Sequence, residues 1–317
     1  MRLLARSLTR SLRGYATLSP HIPPPQAAYT VFDEPSKARQ RDRAVLRADS
    51  TIVDYLRHEI ADRLSERMED LKTPPASILE VAAHAGPVTR ALQETIGGDR
   101  SYYLLEESKL ALQRDTFDHP VTRIHASPSK LVEAFPHKVE AAVSSGLHWV
   151  GDIVGCLTQI RHVLKPDGVF IGAVLGGDSL FELRTSLQLA EQERRGGIAN
   201  RVSPMINPTD APSLLNRAGF TLTTVDVEDI TIHYPSIWEL MSDLRDMGES
   251  NAIMGRKTSV SRDVLLAAEA IYKELHGVEE GIPATFQVVF MIGWTPGPNQ
   301  PKPLERGSGT TNLKDVL

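Results

Sequence analysis

Between residues 77 and 175, short apolar runs alternate with segments of helical periodicity. This alternation constrains the fold more than any other feature of the chain. SILEV (77–81), SYYLL (101–105), VTRIH (121–125), VEAAVSS (139–145) and GVFIGAVL (168–175) read as strands. Residues 87–96 follow the first of them with a helical pattern closed by Gly97-Gly98, and Ile153, Leu157, Ile160 and Leu164 mark a helix stopped by LKPDG. Parallel neighbours need long, usually helical crossovers, so the alternation predicts an α/β fold with a doubly wound, mostly parallel sheet. Downstream come a helix over 179–194, a short capped helix in TDAPSLLNRAGF (209–220), a long β segment over 220–234, helices near 236–247 and 261–276, and a last strand, FQVVFMIGW (286–294). Upstream, Val53, Leu56, Ile60, Leu64 and Met68 predict an amphipathic helix over 50–70, and the charged VFDEPSKARQRDRAV reads as extended or partly helical.

The two ends differ from this body. Arg2, Arg6, Arg10 and Arg13 are spaced among leucines, serines and a threonine, and the first acid is Asp33. An arginine-rich, acid-free amphipathic start predicts a mitochondrial transit peptide, continued by the Pro-rich HIPPPQ; together they take up residues 1–32. The main domain is expected over 33–295, and the Pro/Gly-rich stretch 296–317 as a loose tail. A net charge of −5 argues against nucleic-acid binding. Cys156 is the only cysteine, which excludes an internal disulfide and any Cys-based metal cluster. No apolar run reaches the roughly 18 residues of a membrane span, so any association with a membrane would be peripheral.

In a doubly wound sheet the ligand lies beyond the carboxyl ends of the strands at the topological switch point. That places attention on ILEVAAHAGPVTRAL (78–92), the turn after the first strand, which holds Glu80 and a single glycine, Gly86. Glycine serves such a loop by allowing positive φ and by removing a Cβ from the path of a ligand.

With this layout, the chain resembles the class I S-adenosylmethionine-dependent methyltransferases, and within them the mitochondrial complex I assembly factor 5 family, related to the biotin-pathway methyltransferases. The resemblance is carried by VFDEPSKARQRDRA (31–44), SSGLHWVGD (144–152), LKPDGVFIGAVLGGDSLFELRTSLQLAEQERRGG (164–197), RVSP (201–204), YPSIWELMSDLRDMGESNA (234–252), PATFQVVFMIGW (283–294) and ERGSG (305–309). It implies a Rossmann-like methyltransferase fold with S-adenosylmethionine as the expected cofactor. It also implies a protein of the mitochondrial matrix that hydroxylates an arginine of the matrix-arm iron–sulfur subunit of complex I, near the quinone site, during assembly. Two alternatives stand beside this: a non-catalytic assembly chaperone with a degraded cofactor site, and an active methyltransferase.

The resemblance also marks positions. Glu80 holds the acidic place of the first-strand motif, while Ala82, Ala83 and His84 stand where the family has Gly, Cys and Gly; only Gly86 matches. Glu106, ending the second strand, is the expected acceptor for ribose hydroxyls, and Ser127 stands where an acid would meet the adenine amino group. Replacing Ala82 and His84 by glycine would cost stability if these residues had settled at negative φ.

Catalytic candidates are His148 and Trp149 after the fourth strand, and Asp178 just past the fifth, where it also reads as a helix N-cap. Glu182 and Arg184 read as an exposed helix face. The polar Met247–Asn251 link is expected to line a cleft or meet a partner, with Gly248 as a helix C-cap the simpler reading. The histidines show no start of a two-histidine, one-carboxylate motif, so no metal ligand is assigned.

Overall fold

In the computed structural model, residues 31–301 and 306–307 are described, so all but the last two residues of the expected leader and spacer, 1–32, lie outside the described residues, and Phe32 is buried and bridges Ile253. α1 (Glu34–Val45) opens the fold. The charged stretch 31–45 is thus helical over most of its length. Asp33 caps it by accepting from the Ser36 backbone N–H at 3.0 Å, and Pro35 sits in the first turn, where no N–H is needed. A short 3₁₀ turn precedes α2 (Tyr55–Glu69), whose Leu56, Ile60, Leu64 and Met68 are all buried, as their spacing requires.

The Rossmann-like body follows in order: β1 (Ser77–Val81), α3 (Pro87–Thr95), β2 (Ser101–Glu106), α4 (Lys109–Arg114), β3 (Val121–His125), α5 (Leu131–Ala134), β4 (Val139–Ser144), α6 (Ile153–Val163) and β5 (Leu164–Leu175). LKPDG does stop α6, but the chain turns directly into β5 rather than into a loop. Then come α7 (Phe181–Arg195), α8 (Ala211–Ala218), β6 (Thr221–Tyr234), α9 (Ile237–Asp246), α10 (Arg262–His276) and β7 (Ile282–Trp294).

The seven strands lie in the order β3-β2-β1-β4-β5-β7-β6. The first five are mutually parallel, and β7 runs antiparallel between β5 and β6. This is the methyltransferase fold, mostly parallel as the sequence pattern predicts, and its late antiparallel strand is the last segment, β7. Its order reverses between β1 and β4, so the crevice opens at their carboxyl ends. One face of the sheet packs on α2, α3 and α7 through Leu64, Met68, Leu92 and Leu187; the other packs on α6 and α8 through Leu157, Ile160 and Leu215. Beyond β7, Asn299 donates to Asp167 and Gln300 to the Thr295 carbonyl, so the stretch expected to be loose is tied down at its start.

Two expectations about α7 fail. Its N-cap is Leu180, at φ 54°, and not Asp178, which is exposed and accepts from the Gln287 side chain at 3.3 Å. Glu182 is buried and not solvated: it accepts from the Thr285 hydroxyl at 2.6 Å and so ties α7 to β7. Arg184 is half-buried and reaches back to the Ser179 carbonyl.

Candidate functional site

The carboxyl ends of β1, β2 and β4 carry a cluster of buried charges. Glu80, inside β1, is fully buried and accepts from the Thr89 N–H (2.8 Å), the Thr89 hydroxyl (2.6 Å) and the Val88 N–H (3.4 Å). It therefore holds the first turn of α3, whose free N–H groups need an acceptor. Burial pushes its carboxyl up to about 7, against the lowering effect of those hydrogen bonds.

The loop that follows keeps the backbone shape of a glycine-rich turn without the glycines. Ala82 has φ 54° and His84 φ 50°. The structure thus corrects the stability cost expected for glycine at these positions, because both residues already occupy the region that glycine prefers. Gly86, at φ 84°, is required for a packing reason as well: a Cβ there would lie 2.6 Å from Leu104 and Phe117 side-chain atoms. The His84 imidazole is buried, and neither ring nitrogen has a hydrogen-bond partner among the described residues. Burial, reinforced by the Arg57, Arg41 and Arg114 charges, holds it neutral, well below the ordinary histidine range.

Glu106 ends β2 and is fully buried. Its Oε1 accepts from Arg41 Nη1 at 3.0 Å and the Ser108 N–H at 2.9 Å; its Oε2 accepts from the His84 N–H at 2.8 Å, with Arg41 Nη1 at 3.4 Å. Arg41 comes from α1, and its Nη2 lies 3.7 Å from where a Cβ on Gly146 would sit, so it stands across the β1–β4 crevice. Burial lowers the Arg41 pKa, but the Glu106 and Glu249 carboxylates more than offset this and raise it.

One turn earlier on α1, Lys37 is buried with its Nζ donating to the Gly248 and Ser250 carbonyls and lying 3.2 Å from the Trp149 ring centroid. Burial lowers its pKa well below the usual range, with Glu249 opposing. Glu249 in turn accepts from Trp149 Nε1 (2.5 Å), His148 Nε2 (3.2 Å) and Arg57 Nη2 (2.8 Å). Burial raises the Glu249 carboxyl, but the His148 hydrogen bond and the Lys37 and Arg57 charges hold it well below the usual carboxylate range. His148 is pushed below its ordinary value by burial and donates Nε2–H as a neutral ring, leaving Nδ1 without a partner.

His148 and Trp149 are thus brought together on Glu249. Asp178 is exposed on β5's far end, bonded to Gln287 and not to this cluster. Ser127, half-buried, caps a short 3₁₀ turn by accepting from the Ser129 N–H at 3.4 Å. Gly248 has φ 76° and closes α9, and Glu249, Ser250 and Asn251 also line a cavity of about 690 Å³. Both readings of that link therefore hold. The cavity's other walls include Gln40, Arg43 and Ala44 of α1 and Leu183 and Leu187 of α7. Among the described residues no three His, Cys, Asp or Glu side chains are placed to hold a metal ion, and no helix is long and apolar enough to cross a membrane.

Sequence reasoning missed Lys37 and Arg41 as site residues, whereas Glu249 lies in the link expected to line a cleft. The available signal was the four-residue spacing of Lys37 and Arg41, which puts both on one face of α1.

The fold's expected cofactor can be tested against this geometry. An ionised carboxylate offers about four acceptor positions. At Glu106 two backbone N–H groups and the Arg41 guanidinium fill at least three of them. A ribose diol needs two. As arranged, the residues do not accommodate the ribose of S-adenosylmethionine.

Sheet order, strand polarity and the buried acids at the ends of β1 and β2 define a methyltransferase-fold protein, and the methyltransferase domain family matches residues 79–172. Within that class, the chain is 41% identical over 317 residues to the arginine-hydroxylase NDUFAF5, mitochondrial, of Danio rerio, covering 98% of this chain and 94% of the relative. The protein of the same name from Homo sapiens is 39% identical over 90% of this chain and 83% of its own length. A malonyl-[acyl-carrier protein] O-methyltransferase of Halorhodospira halophila is 29% identical over 82% of this chain and 87% of its own. The chain belongs to the NDUFAF5 arginine-hydroxylase family.

Two outcomes test this geometry. Ala82→Gly removes roughly 1–2 kcal/mol of left-handed strain and adds roughly 0.4–1 kcal/mol of unfolded-chain entropy. The variant should therefore be as stable as the parent or up to about 1.6 kcal/mol more stable in urea titration; a clear loss would mean that φ at 82 is negative. For Glu80, a folded-state pKa above the usual 4.5 means that the folded chain holds the proton longer. Its contribution to stability is fully present below pH 4.5 and is lost as pH rises toward about 7. Relative to Glu80→Gln, the parent should lose stability across that window; parallel curves would show that folding does not raise the Glu80 carboxyl.

Proposed function

We propose that this chain is a mitochondrial protein-arginine hydroxylase acting in the matrix on the iron–sulfur subunit of the complex I matrix arm, near the quinone site, during assembly. The observation that carries this reading is the identity of 41% across 98% of the chain to a relative named arginine-hydroxylase and mitochondrial. The arginine-spaced start, Arg2 to Arg13, supports a transit peptide that with the Pro-rich spacer takes up 1–32, ahead of a methyltransferase-like domain over 33–295.

The cofactor class suggested by the fold is S-adenosylmethionine. Gly86 with Ala82 would form its loop, Glu106 would receive ribose once freed, and Ser127 would face the adenine. Glu80 serves that loop indirectly by fixing the start of α3. His148 and Trp149, with Glu249 behind them, are the candidates for facing substrate. Their buried, water-poor setting strengthens any electrostatic contact they make.

A second reading is favoured by one observation, the Arg41 guanidinium on the ribose carboxylate. Under that reading the chain is an assembly chaperone that keeps the methyltransferase fold without its cofactor.

Deleting the gene and analysing the complex I matrix-arm iron–sulfur subunit by peptide mass spectrometry separates the two. The hydroxylase reading predicts that one arginine near the quinone site lacks an oxygen atom in the deletion and regains it on re-expression. A fully hydroxylated arginine in deletion cells, with assembly still impaired, would leave only the chaperone reading.

A further inference from the structure

The cluster beyond the strands is organised around α1, which presents one face to each of two spaces. Arg41 stands across the β1–β4 crevice on Glu106 and Lys37 meets the Gly248 and Ser250 carbonyls, while Gln40 and Arg43 face the cavity of about 690 Å³ and Ala44 lines it as well. Arg41 is an incomplete fit as a structural residue: its Nη1 meets Glu106, but its buried Nε has no partner among the described residues. Buried donors are rarely left unpaired where an arrangement is purely structural. The helix is held by pairs at its two ends, Asp33 to Arg256 (3.2 Å) and Arg47 to Asp246 (2.7 Å), by Asp42 accepting from the Ser108 hydroxyl (2.6 Å), and by the buried Lys37 Nζ on the Gly248 and Ser250 carbonyls, so its withdrawal must release these as well as Arg41.

We infer that Arg41 decides whether this fold admits an adenosine-containing cofactor: its guanidinium is a resident competitor for the ribose acceptor Glu106, and α1 must withdraw before a nucleoside binds. The inference rests on the reading that the cofactor pocket is used. Apparent affinity is then reduced by the fraction of molecules in which α1 is withdrawn. No covalent step is involved; the exchange replaces a guanidinium–carboxylate contact by two hydroxyl–carboxylate hydrogen bonds.

The test uses the full folded chain and S-adenosylhomocysteine as the probe, followed by calorimetry. Arg41→Gln should bind at least about tenfold more tightly than the parent, because one competitor is removed from a buried carboxylate. Asp33→Ala leaves Arg41 and Glu106 in place and only removes the cap and the Arg256 tether of α1; it should tighten binding by a smaller factor, about threefold. In the parent, saturation with the probe should speed amide hydrogen exchange over residues 34–45. Equal or weaker binding by both variants would overturn the inference, as would slower exchange in α1 on binding. Absence of binding by all three proteins would overturn it too, since Arg41 would then not be what excludes the nucleoside. Arginine modification in cells, scored on the same variants, is a separate readout. Failure of the binding effects with modification intact sinks the competitor role alone; an arginine that stays modified in cells lacking the protein, with the binding effects intact, sinks the hydroxylase reading alone.

Discussion

The buried carboxylate of Glu106 is the point on which the functional end of the molecule depends. Taking an ionised carboxylate out of water carries a penalty of several kcal/mol, which only a full set of donors offsets. Here the donors come from three places: the His84 N–H in the first-strand loop, the Ser108 N–H at the start of α4, and the guanidinium of Arg41 on α1. One acid therefore fixes the shape of the loop, the turn after β2 and the seat of a helix 65 residues away in sequence. Lys37 then falls one helical turn from Arg41, over Trp149, and Glu249 closes the cluster from the other side.

The first-strand loop shows how far side chains can change while a backbone persists. Ala82 and His84 hold left-handed angles at a cost of about 1–2 kcal/mol each. A loop free to relax would abandon them. It does not, because the His84 N–H is tied to Glu106 and the Ala83 N–H to the Leu105 carbonyl at 3.0 Å. What has changed is the content of the crevice. A neutral imidazole stands where the family has glycine and the Arg41 guanidinium sits on Glu106, so the site has the outline of a nucleoside pocket and the interior of an ion-pair cluster.

The fold was legible in the sequence for definite reasons. SILEV and GVFIGAVL are buried on both faces, which forces continuous apolar runs, and Leu56, Ile60, Leu64 and Met68 repeat at the spacing of one helix face. Glu106 was marked by the resemblance alone, which puts an acid at the end of the second strand; read by itself it could as well have been an exposed acid at a helix start, and its burial and its donors appear only in the fold. The site's other half was not legible. Arg41 and Lys37 sit in a segment as charged as any solvated surface, and nothing local marks two of its cations as buried. Their partners, Glu106 and the 248–250 carbonyls, are distant in sequence, so the pairing exists only after the fold forms. Glu182 misled for the same reason: its partner Thr285 is on the last strand. Asp178 misled because Leu180 adopts a left-handed angle that an ordinary capping rule does not foresee.

The measurement that bears most directly on this account is a double-mutant cycle on Arg41 and Glu106, using Arg41→Met, Glu106→Gln and their combination in urea titration. Two side chains that share one buried ion pair should show a coupling of about 2 kcal/mol or more, with the double variant far less damaged than the sum of the singles. Additivity within about 0.5 kcal/mol would contradict the account, because Arg41 would then be seated by something other than Glu106.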